Sequence, residues 1–287
     1  MSAKNQVNAV LTRLTGHHLV KGAPGAHVED LRRQLQDTRA ELRQARGGPA
    51  KPKGDRFPTD FESGAKDIIR AVRPYTMTSN EKLYGLIQAT RYIVRNKIPG
   101  DIVECGVWRG GSMQAAARTL LDVGDTSRDL YLFDTFEGMT EPSAADVRWD
   151  GKSAAELLQT QDKSTWVWAV ASLDDVKAGF EKLPYPEGKL HYVVGKVEDT
   201  IPAELPQQIA ILRLDTDWYE STKHELEHAY ARLSPGGILI IDDYGGWAGS
   251  RTATDEFLAA LDEPLLLHRM SGGRIAVKPF TGGRERP

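Results

Sequence analysis

The stretch ILRLDTDWY, residues 211–219, decides the reading, because a second stretch of the same design, ILIIDDYGG at 238–246, follows it about a helix's length later. Each is a run of branched apolar residues that breaks off into aspartates: Asp215 and Asp217 in the first, Asp242 and Asp243 in the second. Apolar runs of this length, bounded by turn signals, are what strands covered on both faces look like, and such strands belong to parallel sheets. Between them lie YESTKHELEHAYARL, of helical length and pattern, and the expected turn SPGG. A strand–helix–strand unit crosses over right-handed, so its two strands run parallel and both aspartate pairs reach the same edge of the sheet. Ligands of open α/β sheets bind at that edge.

Four carboxylates gathered at one edge repel one another and must take up protons or a cation. Oxygen-only ligands favour a hard cation such as magnesium, manganese or calcium. Aspartates at strand ends also cap helices and turns, which accounts for one or two of the four.

The chain of 287 residues is long enough to bury a full core, as one large domain or as a domain with an appendage. With 27% charged residues and a net charge of -3, it offers no electrostatic argument for nucleic acid or an anionic membrane. No apolar run approaches the ~20 residues of a membrane span, and the first residues, MSAKNQVNAVLTRLTG, lack the apolar core of a signal peptide. The expectation is a cytoplasmic protein. A single cysteine, Cys105, forbids an internal disulfide and reads as a small buried strand residue.

Residues 1–54 differ from the rest. Val28, Leu31, Leu35, Thr38 and Leu42 recur at alternating three and four among many charges, as in a short coiled-coil seam. Such a helix is marginal alone. It is expected either to pair with a partner chain, giving a homo-oligomer through residues 28–46, or to lie on the main domain. GGPAKPKGD then reads as a linker to a second domain, 55–287.

From Thr78, TSNEKLYGLIQATRYIVRN carries a capping box, Thr78 with Glu81, and one apolar face, and so predicts a helix stopped by Pro99 and Gly100. DIVECGV predicts a buried strand, which enters the glycine turn WRGGS and a small-residue helix. Glycines there let backbone approach a phosphate or nucleoside, although Gly106, Gly110 and Gly111 do not spell GxGxxG. DLYLFDT is the second strand and ends on Asp134, where an acidic residue commonly accepts hydrogen bonds from a ribose. Residues 138–168, with Trp149, Trp166 and Trp168, lack a period and read as an irregular insertion of the kind that covers a site. SLDDVKAGFEKL, capped by Ser172, is a helix, and KLHYVVG is the third strand. SRTATDEFLAAL is a further helix, and LLLHRM and RIAVKPF read as a closing hairpin about SGG. The sum is an α/β fold: a mostly parallel sheet with a C-terminal antiparallel pair.

That order is similar to the three-layer, Rossmann-like, seven-stranded fold of S-adenosylmethionine-dependent methyltransferases. More narrowly, PGDIVECGVWRGGS, LYLFDTFEGM, GKVEDTIP, ILRLDTDWYEST and AYARLSPGGILIIDDY resemble the macrocin O-methyltransferase (TylF/MycF) family, which methylates sugar hydroxyls of macrolide and related antibiotics. These segments run from about residue 75 to 280, and the first 54 residues match poorly. The resemblance implies an O-methyltransferase with S-adenosyl-L-methionine as cofactor and a small-molecule acceptor, most naturally glycosylated. It sets the methionine end of the cofactor against Glu104, Gly106, Val107, Trp108, Gly110, Gly111 and Ser112. Asp134 would hold the ribose, with Thr135 and Phe136 beside it, and Met77 and Ser79 would close over the cofactor. Magnesium would lie on Asp215, Asp242 and Asp243, with Asp217 at the position proposed as general base in some members. Being two apart, Asp215 and Asp217 would leave the same face of a strand, so one could hold the metal while the other takes a proton.

Three rivals stand beside this reading. A catechol or polyketide hydroxyl could be the acceptor in the same fold. HELEH, residues 224–228, fits the zinc-protease helix HExxH. A non-enzymatic scaffold with a vestigial site would keep the fold and lose the chemistry.

Overall fold

The protein's computed structural model describes residues 57–280 apart from 164 and 263. The chain divides into residues 1–56 and 57–287, and the described residues belong to the second unit. The expected coiled-coil seam, the linker and self-association through 28–46 lie outside the described residues.

Seven strands form one sheet in the order β3-β2-β1-β4-β5-β7-β6, with β1 Asp101–Cys105, β2 Leu130–Asp134, β3 Leu190–Val194, β4 Ile209–Leu214, β5 Leu233–Ile241, β6 His268–Met270 and β7 Gly273–Val277. All pairings are parallel except those of β7, which runs antiparallel to β5 and β6. The helices are α1 Ser63–Val72, α2 Asn80–Arg95, α3 Gly111–Asp122, α4 Ala154–Thr160, α5 Leu173–Phe180, α6 Val197–Thr200, α7 Tyr219–Ala229 and α8 Ala248–Ala259.

Because side chains alternate along a strand, the central strands feed two cores. Ile102, Ile211, Ile238 and Ile240 join one with Leu86 and Ile93 of α2, Met113 and Leu120 of α3 and Phe180 of α5. Val103, Cys105, Leu212, Leu214, Leu239 and Ile241 join the other with Val197 of α6 and Leu226 of α7. Burial on both faces explains why these strands read as continuous apolar runs.

Several local expectations are corrected. The helix after Thr78 is capped by Ser79, whose hydroxyl accepts from Lys82 N at 3.3 Å. Thr78 is instead drawn inward, beside Ser112 and Arg213. SPGG is part of β5, where Gly236 takes a positive φ of 78° and the β4–β5 register shifts. The hairpin strand expected from LLLHRM shortens to β6, and α1 had no sequence forecast. The 138–168 insertion is partly ordered: it holds α4, a 3-10 turn at Trp166–Trp168 and a bridge between Val147 and Ser153. Among the described residues no helix is long and apolar enough to cross a membrane.

Candidate functional site

Strand register builds the site. Glu104 of β1 lies directly beside Arg213 of β4, and the ladder continues past the strand ends: Asp215 N donates to Cys105 O at 2.8 Å and Asp242 N to Leu214 O at 2.8 Å. By period-two alternation, Glu104, Arg213, Asp215 and Asp242 share the face on which α2 packs. Arg213, 3% exposed, ties them together. Its Nη1 donates to Glu104 Oε1 and, at 2.7 Å, to Asp215 Oδ2; its Nη2 donates to Asp242 Oδ1 at 2.6 Å and Thr78 Oγ1 at 3.2 Å. From α2, Lys82 Nζ donates to Asp242 Oδ2 and, at 2.8 Å, to Asp242 O. The chain's own cations therefore supply part of the compensation that the sequence left to protons or a metal. Sequence reading missed both, although a lone arginine inside the apolar run ILRLD is a signal: a buried guanidinium demands carboxylate partners.

Five carboxylates face these two cations, and their acidities diverge accordingly. Burial raises Asp215 well above the usual range, with Asp242 and Asp243 adding to it and Arg213 opposing. Burial likewise raises Asp243, reinforced by Asp217 and Asp242. Burial also disfavours ionised Asp242, but Arg213 and Lys82 outweigh it and hold that carboxyl low. Burial and then the Asp215 charge push Asp217 up to about 7, and burial pushes Glu104 to about 7 despite Arg213. Glu104 Oε2 has no hydrogen-bond partner. Burial pulls Lys82 down, but the aspartates around it outweigh that and raise it.

One oxygen each from Asp215, Asp242 and Asp243 comes within 4.8 Å of the others. Strand alternation does not bring Asp217 to them, because β4 ends at Leu214. A left-handed turn does, with Asp217 at φ 67° and its N–H 3.2 Å from Asp243 Oδ2. A non-glycine residue held at positive φ is a conformation the surroundings must enforce.

The aspartates form one wall of a cavity of about 460 Å³. Of the residues expected to contact a cofactor, Met77, Ser79, Gly106, Val107, Trp108, Ser112, Asp134 and Thr135 line it, and Glu104, Gly110, Gly111 and Phe136 do not. The reasons are steric and electrostatic. Glu104 is buried under Arg213. A Cβ on Gly111 would lie 2.5 Å from Tyr75 O, and one on Gly110 would lie 3.0 Å from Val176 Cγ1, so these glycines permit close packing of α3. Gly106, at φ 80°, passes so near the β4 tip that a Cβ would meet Asp215 O at 2.1 Å. Asp134 organises the turn around it: Oδ2 accepts from Val107 N at 2.7 Å and Trp108 N at 3.0 Å, and Oδ1 from Phe136 N at 2.7 Å. Lining residues the sequence did not single out include Lys82, Met139, Lys196, Glu198 and Trp247.

The insertion closes one side of the cavity through Gly138, Met139, Thr140 and Val167, with Ala169 just past its end. It carries a small core of its own, in which Ala154, Leu157, Leu158 and Val167 meet Trp218 and Trp247. Asp146 fastens it, accepting from Ser143 N at 2.6 Å and Tyr219 N at 2.7 Å. Trp149 is 75% exposed, and Trp168 donates to Gln161 O at 3.0 Å; neither lines the cavity.

HELEH does not build a zinc-protease centre. His224 Nε2 donates to Ile201 O at 3.0 Å and His228 Nδ1 to His224 O at 2.8 Å, while Glu225 turns inward, accepting from Thr216 Oγ1 at 3.2 Å. The glutamate that would activate water is buried away from the histidine pair.

Comparison with known proteins identifies the family. The chain is 37% identical over 170 residues to the 8-demethyl-8-(2,3-dimethoxy-alpha-L-rhamnosyl)-tetracenomycin-C 4'-O-methyltransferase of Streptomyces olivaceus, covering 59% of this chain and 62% of that relative. It is 31% identical over 189 residues to the demethyldecarbamoylnovobiocin O-methyltransferase of Streptomyces niveus, covering 66% and 69% respectively. The solved structure of the O-methyltransferase NovP superposes with a TM-score of 0.63 at 28% identity, over 71% of this chain and 82% of that one. The profile of the macrocin-O-methyltransferase (TylF) family matches residues 14–267, reaching further toward the N-terminus than the segments quoted above. The chain belongs to the macrocin-O-methyltransferase family.

Proposed function

We propose that this protein transfers the methyl group of S-adenosylmethionine to a hydroxyl of a sugar carried by a glycosylated natural product, with a hard divalent cation on Asp215, Asp242 and Asp243. The observation that carries the reading is the meeting of two features in one cavity: the Gly106–Trp108 turn with Asp134, and the aspartates of β4 and β5. The relative from Streptomyces olivaceus is named for 4'-O-methylation of a rhamnosyl compound, which supports a sugar hydroxyl as acceptor.

A methyl sulfonium needs no activation as an electrophile, so the protein must align an alcohol oxygen with it and take the alcohol's proton. The C–S bond breaks as the O–C bond forms, and S-adenosylhomocysteine leaves. Asp217, whose carboxyl burial and then the Asp215 charge push up to about 7, is the group proposed to accept the proton. Among the cavity-lining residues, Ser112 and the 106–108 backbone would hold the donor's methionine end, Asp134 and Thr135 its ribose side, and Met77 and Ser79 would close over it. Glu104, Gly110, Gly111 and Phe136 act beneath the surface by fixing the shape of that wall. The residues fit a dication: one oxygen each from three carboxylates converges, and burial, with the neighbouring aspartates adding to it, raises Asp215 and Asp243, so a positive charge there would favour their ionised forms. Such an ion supplies stabilisation of negative charge developing on the hydroxyl oxygen.

The test is transfer of labelled methyl across matched glycosylated, aglycone and catechol acceptors. Transfer to the glycosides alone is expected. Transfer to the catechols with none to any glycoside would replace the sugar reading, and failure to bind S-adenosylmethionine would leave only a scaffold.

A further inference from the structure

The proposed metal ligands differ in what already holds them. Arg213 is locked in place, 3% exposed on a central strand with Glu104, Asp215, Asp242 and Thr78 all on its guanidinium. Lys82 is held differently: it reaches the cluster from α2 on a flexible four-carbon stem and stands on the cavity wall. Between them the two cations occupy both oxygens of Asp242, Arg213 on Oδ1 and Lys82 on Oδ2.

A dication ligated by Asp242 must share a carboxylate with two positive groups. Like charges a few ångströms apart in a partly buried site repel strongly, so one of the three must withdraw. Arg213 cannot do so without leaving Glu104, at 1% exposure, unpaired. Lys82 can swing into the cavity and exchange its contact for water.

We propose that Lys82 is a resident counter-ion: it holds the aspartate cluster together in the metal-free protein and competes with the divalent cation for Asp242. This rests on the metal reading above and adds to it the sign of one effect. A residue that merely supports the site would lower metal affinity when removed. Removal of a competitor raises it.

The test measures binding of Mn²⁺ and Mg²⁺ to the chelator-stripped full chain by titration calorimetry, and thermal unfolding without metal, for wild type, Lys82→Met, Lys82→Gln, Lys82→Arg and Asp242→Asn. Lys82→Met and Lys82→Gln are expected to bind the dication roughly tenfold or more tightly. They are also expected to unfold at lower temperature without metal and to regain the loss when it is added. Lys82→Arg, which keeps the charge, should bind as wild type does. Unchanged or weaker binding by both uncharged variants, with wild type binding normally and Asp242→Asn not, would overturn the competitor role and leave the metal site standing. Absence of dication binding in every form would overturn both. Should Lys82→Met fail to fold, Lys82→Gln carries the comparison, because its amide can still donate to Asp242 O.

Discussion

At the scale of single residues, Arg213 sets the chemistry of the site. A buried ion pair adds little net stability compared with an apolar replacement of the whole group, but removing one partner strands the others. Arg213→Met leaves Glu104 and Asp242 without their guanidinium. It is expected to destabilise the domain by about 3 to 5 kcal/mol, read as a lower urea midpoint with an unchanged slope. Gly106→Ala combines a left-handed backbone with a Cβ 2.1 Å from Asp215 O, and is expected to lose roughly 2 to 4 kcal/mol by the same measurement. The four aspartates were legible in the sequence because each ends an apolar run. Arg213 was legible in principle, by its parity with Asp215 and its isolation among leucines. Lys82 was not: from the sequence it is one more cation on an amphipathic helix, and only the packing of α2 against β4 and β5 aims it at Asp242.

At the scale of elements, periodicity served where burial is regular and failed where shape is local. The apolar runs of β1, β2, β4 and β5 and the amphipathic stripe of α2 follow directly from two-sided and one-sided burial. The cap of α2 slipped by one residue because Thr78 and Ser79 are chemically equivalent caps, and the hydroxyl nearer Arg213 was claimed by the site. The insertion read as shapeless because its core is assembled from distant chain: Leu157 and Leu158 pack on Trp218 and Trp247, which lie beyond the third strand. Asp146 is the fastening that follows from this. Asp146→Ala removes acceptors from the N–H groups of Ser143 and Tyr219. Amide exchange in α4 is expected to quicken while β1, β4 and β5 keep their protection. Equal loosening of sheet and insertion would mean that the insertion is part of the main cooperative unit.

At the scale of the whole molecule, a parallel sheet brings five strand tips to one edge, and that edge holds both the glycine turn and the acidic cluster. The HELEH helix lies between β4 and β5 with its glutamate turned under the 215–217 loop, so His224→Ala is expected to leave methyl transfer intact. Loss of transfer in a folded His224→Ala protein would reopen the histidine pair as a functional site. The proposed role of the aspartates at the β4 and β5 tips is to work through a divalent ion beside the methyl donor. Its most direct measurement is the initial rate of methyl transfer to a glycosylated acceptor by chelator-stripped protein, with and without added magnesium, for wild type and Asp242→Asn. Chelation is predicted to abolish transfer, magnesium to restore it in wild type, and the same magnesium concentration to leave Asp242→Asn inactive. A wild-type rate unchanged by complete removal of metal would contradict that role.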